Sequence, residues 1–466
     1  MTPPNIGQKA TASATSAIRN GNAKAQNTNV ARGSRTFAAA SGGGARAVAA
    51  AQAVNSPPLS TRGGNLYDDE LRVACEAVKL ASHLCVASQR ELLAKETHSK
   101  DDTSPVTVAD LGSQAIISWA LQNLPRGAAP DSGASSARFS LVAEEDSELL
   151  RSAAGQPTRE RVVELVNATL ASSDLPPLSE AEVLDAIDRG DSEGGSEARH
   201  WVLDPIDGTR GFVGNRQYAI ALALLDHGEP VVGVLGCPNL SLTDASLDNR
   251  TDRAASEGAP LAARSDQDAS SPGCLFLAQK ARGAFASAIG VAGGRDGQEG
   301  SEDPIVCGAE GGLESIRINE VSPAEAVYME SVETRHSDHA FARRVAERAG
   351  LHAAPLRIDS QAKYGVIAAG RASAFMRFPD VSYEEKIWDH AAGAIIMAEA
   401  GGVVTDAAGK PLDFSKGRVL NNASGIVAAP PILHGRLIES IREERQGGNR
   451  PELPPDGLRG TNDKRA

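Results

Sequence analysis

The sequence contains no uninterrupted run close to the ~18 apolar residues that a membrane-spanning helix requires. Its five cysteines include no C-x-x-C pair, and their odd number and wide spacing favour a reducing compartment and argue against structural zinc. A net charge of -13 argues against general binding to nucleic acids or to anionic membranes. We therefore expect a soluble protein that has neither a membrane nor a nucleic-acid polymer as its partner.

Acidic residues are absent before Asp68, although Lys and Arg are scattered there among Ala, Ser, Thr and Asn. The segment also lacks the apolar centre of a secretory signal, and its composition is typical of an organelle transit peptide. We therefore predict that residues 1–66 are a disordered transit peptide, with a disordered basic arm as the alternative. Residues 443–466 are predicted to be a disordered tail.

Between these ends, patterns typical of helices alternate with patterns typical of strands. Periodicity predicts helices at 67–93, from near Asp110 to 121, twice within 159–190, at 337–348 and at 388–400. Apolar runs predict strands at 139–143, 201–203, 218–225, 231–235, 316–318 and 403–405. Polar stretches at 241–272 and 287–303 are expected to be surface insertions. The alternation predicts a layered α/β architecture in two halves, 67–235 and 236–442.

Two carboxylates, Asp204 and Asp207, follow the short apolar run that begins at Trp201. A strand that stops at a rigid proline and a flexible glycine, here Pro205 and Gly208, can direct both side chains and a carbonyl between them to one point. Hard oxygen ligands that converge in this way are what Mg²⁺ prefers. The segment therefore suggests part of a magnesium site.

Three further carboxylates are expected at similar junctions. Asp110 is predicted where an extended segment turns into a helix, Glu144 at the end of a strand, and Asp389 in the first turn of a helix, where its charge suits the helix dipole. Five carboxylates without a matching basic cluster would repel one another in a shared cleft. Bound divalent cations would remove that repulsion.

Each of these signals is weak by itself. Glu144 and its acidic neighbours suit a solvated loop, Asp204-x-x-Asp207-Gly suits a turn, and Asp389 suits a helix start. His336-x-x-His339 does not indicate zinc, because no other His or Cys lies nearby in the sequence. Only the ordered set of acidic sites predicts a metal centre.

That ordered set, with Asp204-Pro-Ile-Asp-Gly-Thr209 and Trp388-Asp-His-Ala-Ala-Gly393, resembles the lithium-sensitive, magnesium-dependent phosphatases, the superfamily of inositol monophosphatase and fructose-1,6-bisphosphatase. Within it, the chain is similar from about Tyr67 to Arg442 to the 3'(2'),5'-bisphosphate nucleotidases of the plant and yeast type. Three segments mark this type: Val332-Glu-Thr-Arg-His-Ser337, Ile358-Asp-Ser-Gln-Ala-Lys-Tyr364 and Tyr383-Glu-Glu-Lys-Ile-Trp-Asp-His390. The similarity to plant enzymes favours the chloroplast over the mitochondrion as the destination.

The resemblance implies an α-β-α-β-α sandwich with two or three Mg²⁺ ions. The implied metal ligands are Glu144, Asp204, the carbonyl of Ile206, Asp207 and Asp389. Asp110 and Thr209 would orient and deprotonate the attacking water. The residues implied to contact adenosine 3',5'-bisphosphate are Thr209, His336, Ser360, Lys363 and Arg377. Arg335 occupies a position where these nucleotidases usually have a small residue. The shape of the site at the edge of the substrate is therefore left open.

Elementary chemistry supports these expectations. Phosphomonoester hydrolysis needs an activated water and neutralisation of the phosphoryl oxygens, which a Mg²⁺ cluster supplies. Lys363 and Arg377 are cations available for a phosphate that is not cleaved. The expected reaction removes the 3'-phosphate of adenosine 3',5'-bisphosphate (PAP) to give AMP, and extends to the sulfated form, PAPS.

Two other functions remain open. The same chemistry on inositol phosphates, such as inositol 1,4-bisphosphate, is disfavoured by the segments around His336 and Ser360. An inactive regulator, or a nucleic-acid-binding protein that uses the basic N-terminal arm, is disfavoured because all the expected metal ligands and Thr209 are present and the body is acidic.

Overall fold

The computed structural model describes residues 66–95, 105–124, 139–241, 273–290, 312–332, 337–380, 383–420 and 425–447. His336, nearly all of the expected transit peptide and most of the two polar insertions lie outside these residues, so the predictions for them stay predictions. No helix within the described ranges has both the length and the apolar character needed to cross a membrane. The cysteines in these ranges, Cys75, Cys85, Cys237 and Cys274, are buried and form no disulfide.

Each predicted helix and strand has a counterpart in the structure, but the alternation is only partial, because the strands between residues 219 and 330 follow one another without an intervening helix among the described residues. The described helices are α1 Asp68–Lys95, α2 Pro105–Asn123, α3 Glu148–Arg151, α4 Gln156–Ser172, α5 Glu180–Asp188, α6 Thr209–Val213, α7 His339–Ala349, α8 Ala362–Ala368, α9 Ala391–Glu399 and α10 Pro431–Gln446, with 3₁₀ turns at Ile387–Asp389 and Phe414–Lys416. The described strands are β1 Ser140–Ala143, β2 Arg199–Asp207, β3 Ala219–Asp226, β4 Glu229–Cys237, β5 Cys274–Gln279, β6 Gly283–Ala288, β7 Glu314–Ile316, β8 Tyr328–Glu330, β9 Leu356–Arg357, β10 Ala374–Arg377, β11 Val403–Asp406 and β12 Ile426–Ala429.

Some predicted boundaries are wrong. Helix α2 begins at Pro105 rather than near Asp110, because proline suits the first helical position, where its missing N–H is not needed. Asp389 lies in a 3₁₀ turn that precedes α9, not in the first turn of the helix itself. At the chain's end, α10 continues to Gln446, beyond the predicted start of the tail at residue 443.

The first sheet has seven strands in the order β1 to β7, with β1 and β2 parallel and the other pairs antiparallel. It extends from residue 140 to residue 316, so the suggested boundary at 235 falls within one of its strands, β4. Helices α1 and α2 pack on one face and α9 packs on the other. Because both faces are covered, β3 is buried and apolar from Ala219 to Leu225, and only its last residue, Asp226, is charged.

The second sheet has five strands in the order β11-β12-β10-β8-β9. Helices α8 and α9 lie between the two sheets, and α7 and α10 cover the outer face of the second sheet with a separate apolar cluster. The layers therefore run helix, sheet, helix, sheet, helix, and the predicted α-β-α-β-α sandwich is confirmed.

Candidate active site

A cavity of about 270 Å³ opens where β1 and β2 end and where the segments before α8 and α9 meet them. It is lined by Glu144, Asp204, Ile206, Asp207, Gly208, Thr209, Arg210, Ser331, Asp359, Ser360, Gln361, Lys363, Tyr364, Phe375, Arg377, Tyr383, Asp389 and His390. The fold thus brings together every predicted site residue within the described ranges except Asp110, which lies beside the cavity.

A bulge in β2 sets the direction of its two carboxylates. Asp204 pairs with Ala221 and Asp207 with Ala219, so β2 has one more residue than β3 between these pairs. In a regular strand, residues three apart face opposite sides of the sheet, and one extra residue brings them to the same side. Ser113 on α2 donates a hydrogen bond to the carbonyl of Pro205 inside the bulge (3.0 Å). Convergence of the two carboxylates therefore depends on the bulge, not only on the strand end.

Gly208 lets this segment approach the loop before α8. Its φ is +90°, and a Cβ there would lie 3.0 Å from the Cβ of Ser360, so glycine is required. Ser360 itself has a φ of +75°, which is strained for a residue with a side chain. Its hydroxyl accepts a hydrogen bond from the N–H of Ala362 and thereby helps to start α8. The close contact places Ser360 beside the bulged strand.

Gln361 connects the segments that carry Asp207 and Asp389. Its backbone N–H donates to Oδ2 of Asp207 (2.6 Å), and its side-chain Nε2 donates to the carbonyl of Trp388 (2.7 Å). Its Oε1 accepts a hydrogen bond from the N–H of Gly393 (3.0 Å). One buried glutamine therefore fixes two carboxylate-bearing segments that are far apart in the sequence.

Gln114 on α2 has a comparable role at the end of β1. Its Oε1 accepts from the N–H of Glu145 (3.1 Å), and its Nε2 donates to the carbonyls of Glu145 and Ile187 (2.7 and 2.8 Å). Gln114 is fully buried, so these contacts are not exposed to competing water. They hold the chain immediately after Glu144.

Burial and mutual repulsion raise the carboxyl pKa values throughout the cluster. Burial raises the pKa of Asp204 well above its usual value, and the charge of Glu144 adds to this. Burial, followed by the charge of Asp389, raises the pKa of Asp207 to about 6. The pKa of Asp389 is also raised by burial. Without cations, these groups are therefore costly to ionise together.

Glu144 and Asp110 follow the same trend. Part of the Glu144 side chain is exposed at the opening, yet the surrounding protein removes enough water to raise its pKa to about 7, and the charges of Asp389 and Glu145 contribute. Burial raises the pKa of Asp110 well above its usual value, with the charges of Glu145 and Glu144 adding to it. Asp110 is therefore electrostatically part of the cluster.

The donor set suits a hard divalent cation. Oδ1 of Asp204 is buried and has no hydrogen-bond partner among the described residues, which is costly unless a cation binds it. A second group, Glu385, Asp389 and His390, has potential ligand atoms within 4.8 Å of one another. However, Oε2 of Glu385 lies 3.1 Å from Nε2 of His390, and Tyr364 holds the other ring nitrogen (2.8 Å). Glu385 and His390 therefore already have hydrogen-bond partners of their own, and Asp389 is left as the member of this group with a predicted ligand role.

Two cations, the buried Lys363 and the partly buried Arg377, line the same cavity. Burial lowers the pKa of Lys363 to about 8 despite the opposing charges of Asp207 and Asp359. Its Nζ donates to the carbonyl of Ile358 (3.0 Å) and lies 5.0 Å from the ring centre of Phe375. These contacts fix the ammonium group of Lys363 at the wall of the cavity.

Arg377 is the second cation, and its side chain is partly buried. Its Nε lies 3.1 Å from Oε1 of Glu385, and its guanidinium carbon lies 5.2 Å from the ring centre of Tyr383. Burial alone would lower its pKa, but the charges of Glu385 and Asp389 raise it above the usual value. Arg377 is therefore charged and fixed in direction.

Thr209 lies at the opening of the cavity, directly after the bulged strand. It is the first residue of α6, and its hydroxyl is 3.5 Å from the carbonyl of Ile206. The same carbonyl is one of the predicted metal ligands, so the hydroxyl and the expected ligand are neighbours.

Sequence reasoning missed several residues at the site. Ser113, Gln114 and Gln361 support the carboxylates, and Tyr383 and Arg210 line the opening. Gln361 and Tyr383 lie in two of the segments that mark the nucleotidase type, and this position in the sequence is the signal by which they could have been found. Nothing local distinguishes Ser113 or Gln114, because their partners are set by the tertiary fold.

Fold and site together are those expected of a metal-dependent phosphatase. A sequence model described as the inositol monophosphatase family matches residues 134–446. A 3'(2'),5'-bisphosphate nucleotidase from Oryza sativa is 42% identical over 398 residues, which cover 85% of this chain and 100% of that protein. The 3'(2'),5'-bisphosphate nucleotidase 1 of Arabidopsis thaliana is 43% identical over 381 residues, with coverages of 81% and 96%.

Among solved structures, a bacterial member of the inositol monophosphatase family from Bacteroides thetaiotaomicron is 19% identical, with a TM-score of 0.47 and coverages of 78% of this chain and 99% of that one. The chain belongs to the inositol monophosphatase family. This family is generally Mg²⁺-dependent and characteristically lithium-sensitive.

Proposed function

We propose that the chain hydrolyses the 3'-phosphate of PAP to give AMP and inorganic phosphate, with two or three Mg²⁺ ions. The observation that carries the proposal is the presence of a carboxylate cluster and two cations, Lys363 and Arg377, in one cavity. The names of the rice and Arabidopsis relatives support the same reaction. PAPS is proposed as a second substrate, because it has the same 3'-phosphate.

The predicted ligands Glu144, Asp204, Asp207 and Asp389, with the carbonyl of Ile206, would hold the ions. Bound Mg²⁺ would neutralise the phosphoryl oxygens and help to activate the attacking water. The hydroxyl of Thr209 is proposed to orient that water, and the carboxylate of Asp110 to receive its proton. Burial raises the pKa of Asp110, which favours proton acceptance.

Lys363 and Arg377 are proposed to hold the phosphate that is not cleaved. Lys363 and Arg377 both interact electrostatically with Asp207, so they lie close to the predicted metal site. Ser360 would provide a neighbouring hydroxyl, and His336 is proposed to contact the substrate as well. Tyr383 is 46% exposed at the opening, and an exposed aromatic ring can stack on a purine base. An inositol phosphate has no flat base to use this surface.

The two candidate substrates can be compared directly. The purified protein with Mg²⁺ should release phosphate from PAP with a kcat/KM at least about 5-fold higher than from inositol 1,4-bisphosphate, because a base stack alone contributes on the order of 1–3 kcal/mol. Equal or reversed kcat/KM values would favour the inositol phosphate function. Absence of hydrolysis of both substrates would favour the inactive regulator.

A further inference from the structure

Arg418 lies outside the cavity lining but joins two of the segments that form it. Its Nη2 donates a hydrogen bond to the carbonyl oxygen of Ala143. Its Nη1 donates to the carbonyls of Gly190 and Ser192 (3.1 and 2.9 Å). Its guanidinium carbon lies 5.0 Å from the ring centre of Trp388. One side chain thus contacts the residues immediately before Glu144 and Asp389.

The contact at Ala143 controls the start of the Glu144 segment. The carbonyl of Ala143 belongs to the planar peptide unit that joins Ala143 to Glu144. A hydrogen bond that fixes this oxygen therefore fixes the orientation of the peptide plane that ends at the Cα of Glu144. The neighbouring chain is held as well, since the N–H of Ala143 donates to the carbonyl of Gly190 (3.0 Å). Arg418 therefore bonds both to the end of β1 and to the neighbouring segment 190–192.

The backbone around Arg418 fixes the Asp389 segment. The carbonyl of Arg418 accepts a hydrogen bond from the N–H of Ile387 (3.1 Å), and the N–H of Leu420 donates to the carbonyl of Glu385 (2.8 Å). Lys386 and Val419 form the antiparallel bridge between these contacts. Stacking of the guanidinium over Trp388 then couples the side chain to the 3₁₀ turn that presents Asp389.

We propose that Arg418 is a positioning residue that sets the spacing between Glu144 and Asp389 and thereby the affinity for Mg²⁺. This inference rests on the metal site in the proposed function. The planar guanidinium of Arg418 donates from two separate nitrogens to three carbonyls and stacks on an aromatic ring, whereas lysine has one nitrogen for all of these contacts and no planar group to stack. The role is therefore specific to arginine and does not depend on charge alone.

The test is calorimetric titration of Mg²⁺ into the wild type, Arg418→Ala and Arg418→Lys, together with thermal unfolding in EDTA. Residues that orient metal ligands typically alter metal affinity by about 10- to 100-fold, so both variants should bind Mg²⁺ at least about 10-fold more weakly. Arg159→Ala is the matched control, because Arg159 donates to the carbonyls of Leu150 and Ser152 and pairs with Glu180 (2.9 Å) without lining the cavity. It should alter unfolding but not Mg²⁺ affinity.

The outcomes separate the inference from the function on which it rests. If Arg418→Lys binds Mg²⁺ as tightly as the wild type, the geometric role is wrong, and this variant decides the question should Arg418→Ala fail to fold. If Arg159→Ala weakens Mg²⁺ binding as much as the Arg418 variants do, the effect is general destabilisation and the inference is overturned. A folded wild type that binds no Mg²⁺ would overturn both the inference and the proposed function.

Discussion

Asp207→Asn should lower the rate of phosphate release at saturating PAP by at least ~10³-fold, because loss of a metal-bound charge removes stabilisation of the transition state. The fold should persist, since the amide oxygen of Asn can still accept the hydrogen bond from the N–H of Gln361. Removing one charge from a repelling cluster should leave thermal unfolding in EDTA unchanged or raise its midpoint. Steady-state kinetics at saturating Mg²⁺ and a thermal scan measure these two effects.

Glu145→Gln is the control for Asp207→Asn. Glu145 adjoins Glu144 and raises its pKa, but it does not line the cavity. Its loss removes a nearby charge without removing a predicted ligand, so turnover should fall less than about 10-fold, as expected for a change in electrostatics alone. Near-normal turnover of Asp207→Asn would remove Asp207 from the metal site. Equal losses in the two variants would mean that overall charge, not ligation, matters.

Lys363→Met should lower kcat/KM for PAP by roughly 10- to 150-fold, because a charge-assisted contact to a phosphate contributes on the order of 1.5–3 kcal/mol. The loss should be much smaller for 3'-AMP, which has no 5'-phosphate to be held. Turnover at saturation should change less than kcat/KM, since the carboxylate cluster acts on the other phosphate. The measurement is the ratio of the two substrates' kcat/KM values in the wild type and the variant.

Lys79→Met is the matched control for Lys363→Met. Lys79 is 7% exposed on α1 and pairs with Glu76 (3.0 Å), so it is a buried lysine that does not line the cavity. Its replacement should leave the substrate ratio unchanged. An equal loss on both substrates in Lys363→Met would mean that Lys363 serves the fold or the chemical step, for example through its bond to Ile358.

The layered fold could be predicted because its buried strands and helices have strong apolar patterns. Helices α1, α4 and α5 and strands β1, β3, β4 and β11 agree with the prediction within a few residues. The start of α2 was misplaced because the β-branched residues after Pro105 resemble an extended segment. Proline at the first helical position was the better guide.

The carboxylates of the site could be predicted from the sequence, but the structural features that bring them together could not. The bulge between Asp204 and Asp207 exists only in the pairing of β2 with β3, and that register is a tertiary property. Gln361 and Arg418 likewise act on partners distant in the sequence. Their contacts have no local periodicity or spacing by which they could be recognised.

Phosphorus NMR of the products formed from PAP and Mg²⁺ tests the central claim most directly. Lys363 and Arg377 are proposed to retain the 5'-phosphate while the carboxylate cluster acts on the 3'-phosphate. The reaction should therefore give inorganic phosphate and adenosine 5'-monophosphate in equal amounts, and EDTA should abolish it. Formation of adenosine 3'-monophosphate, or hydrolysis that continues in EDTA, would contradict the account.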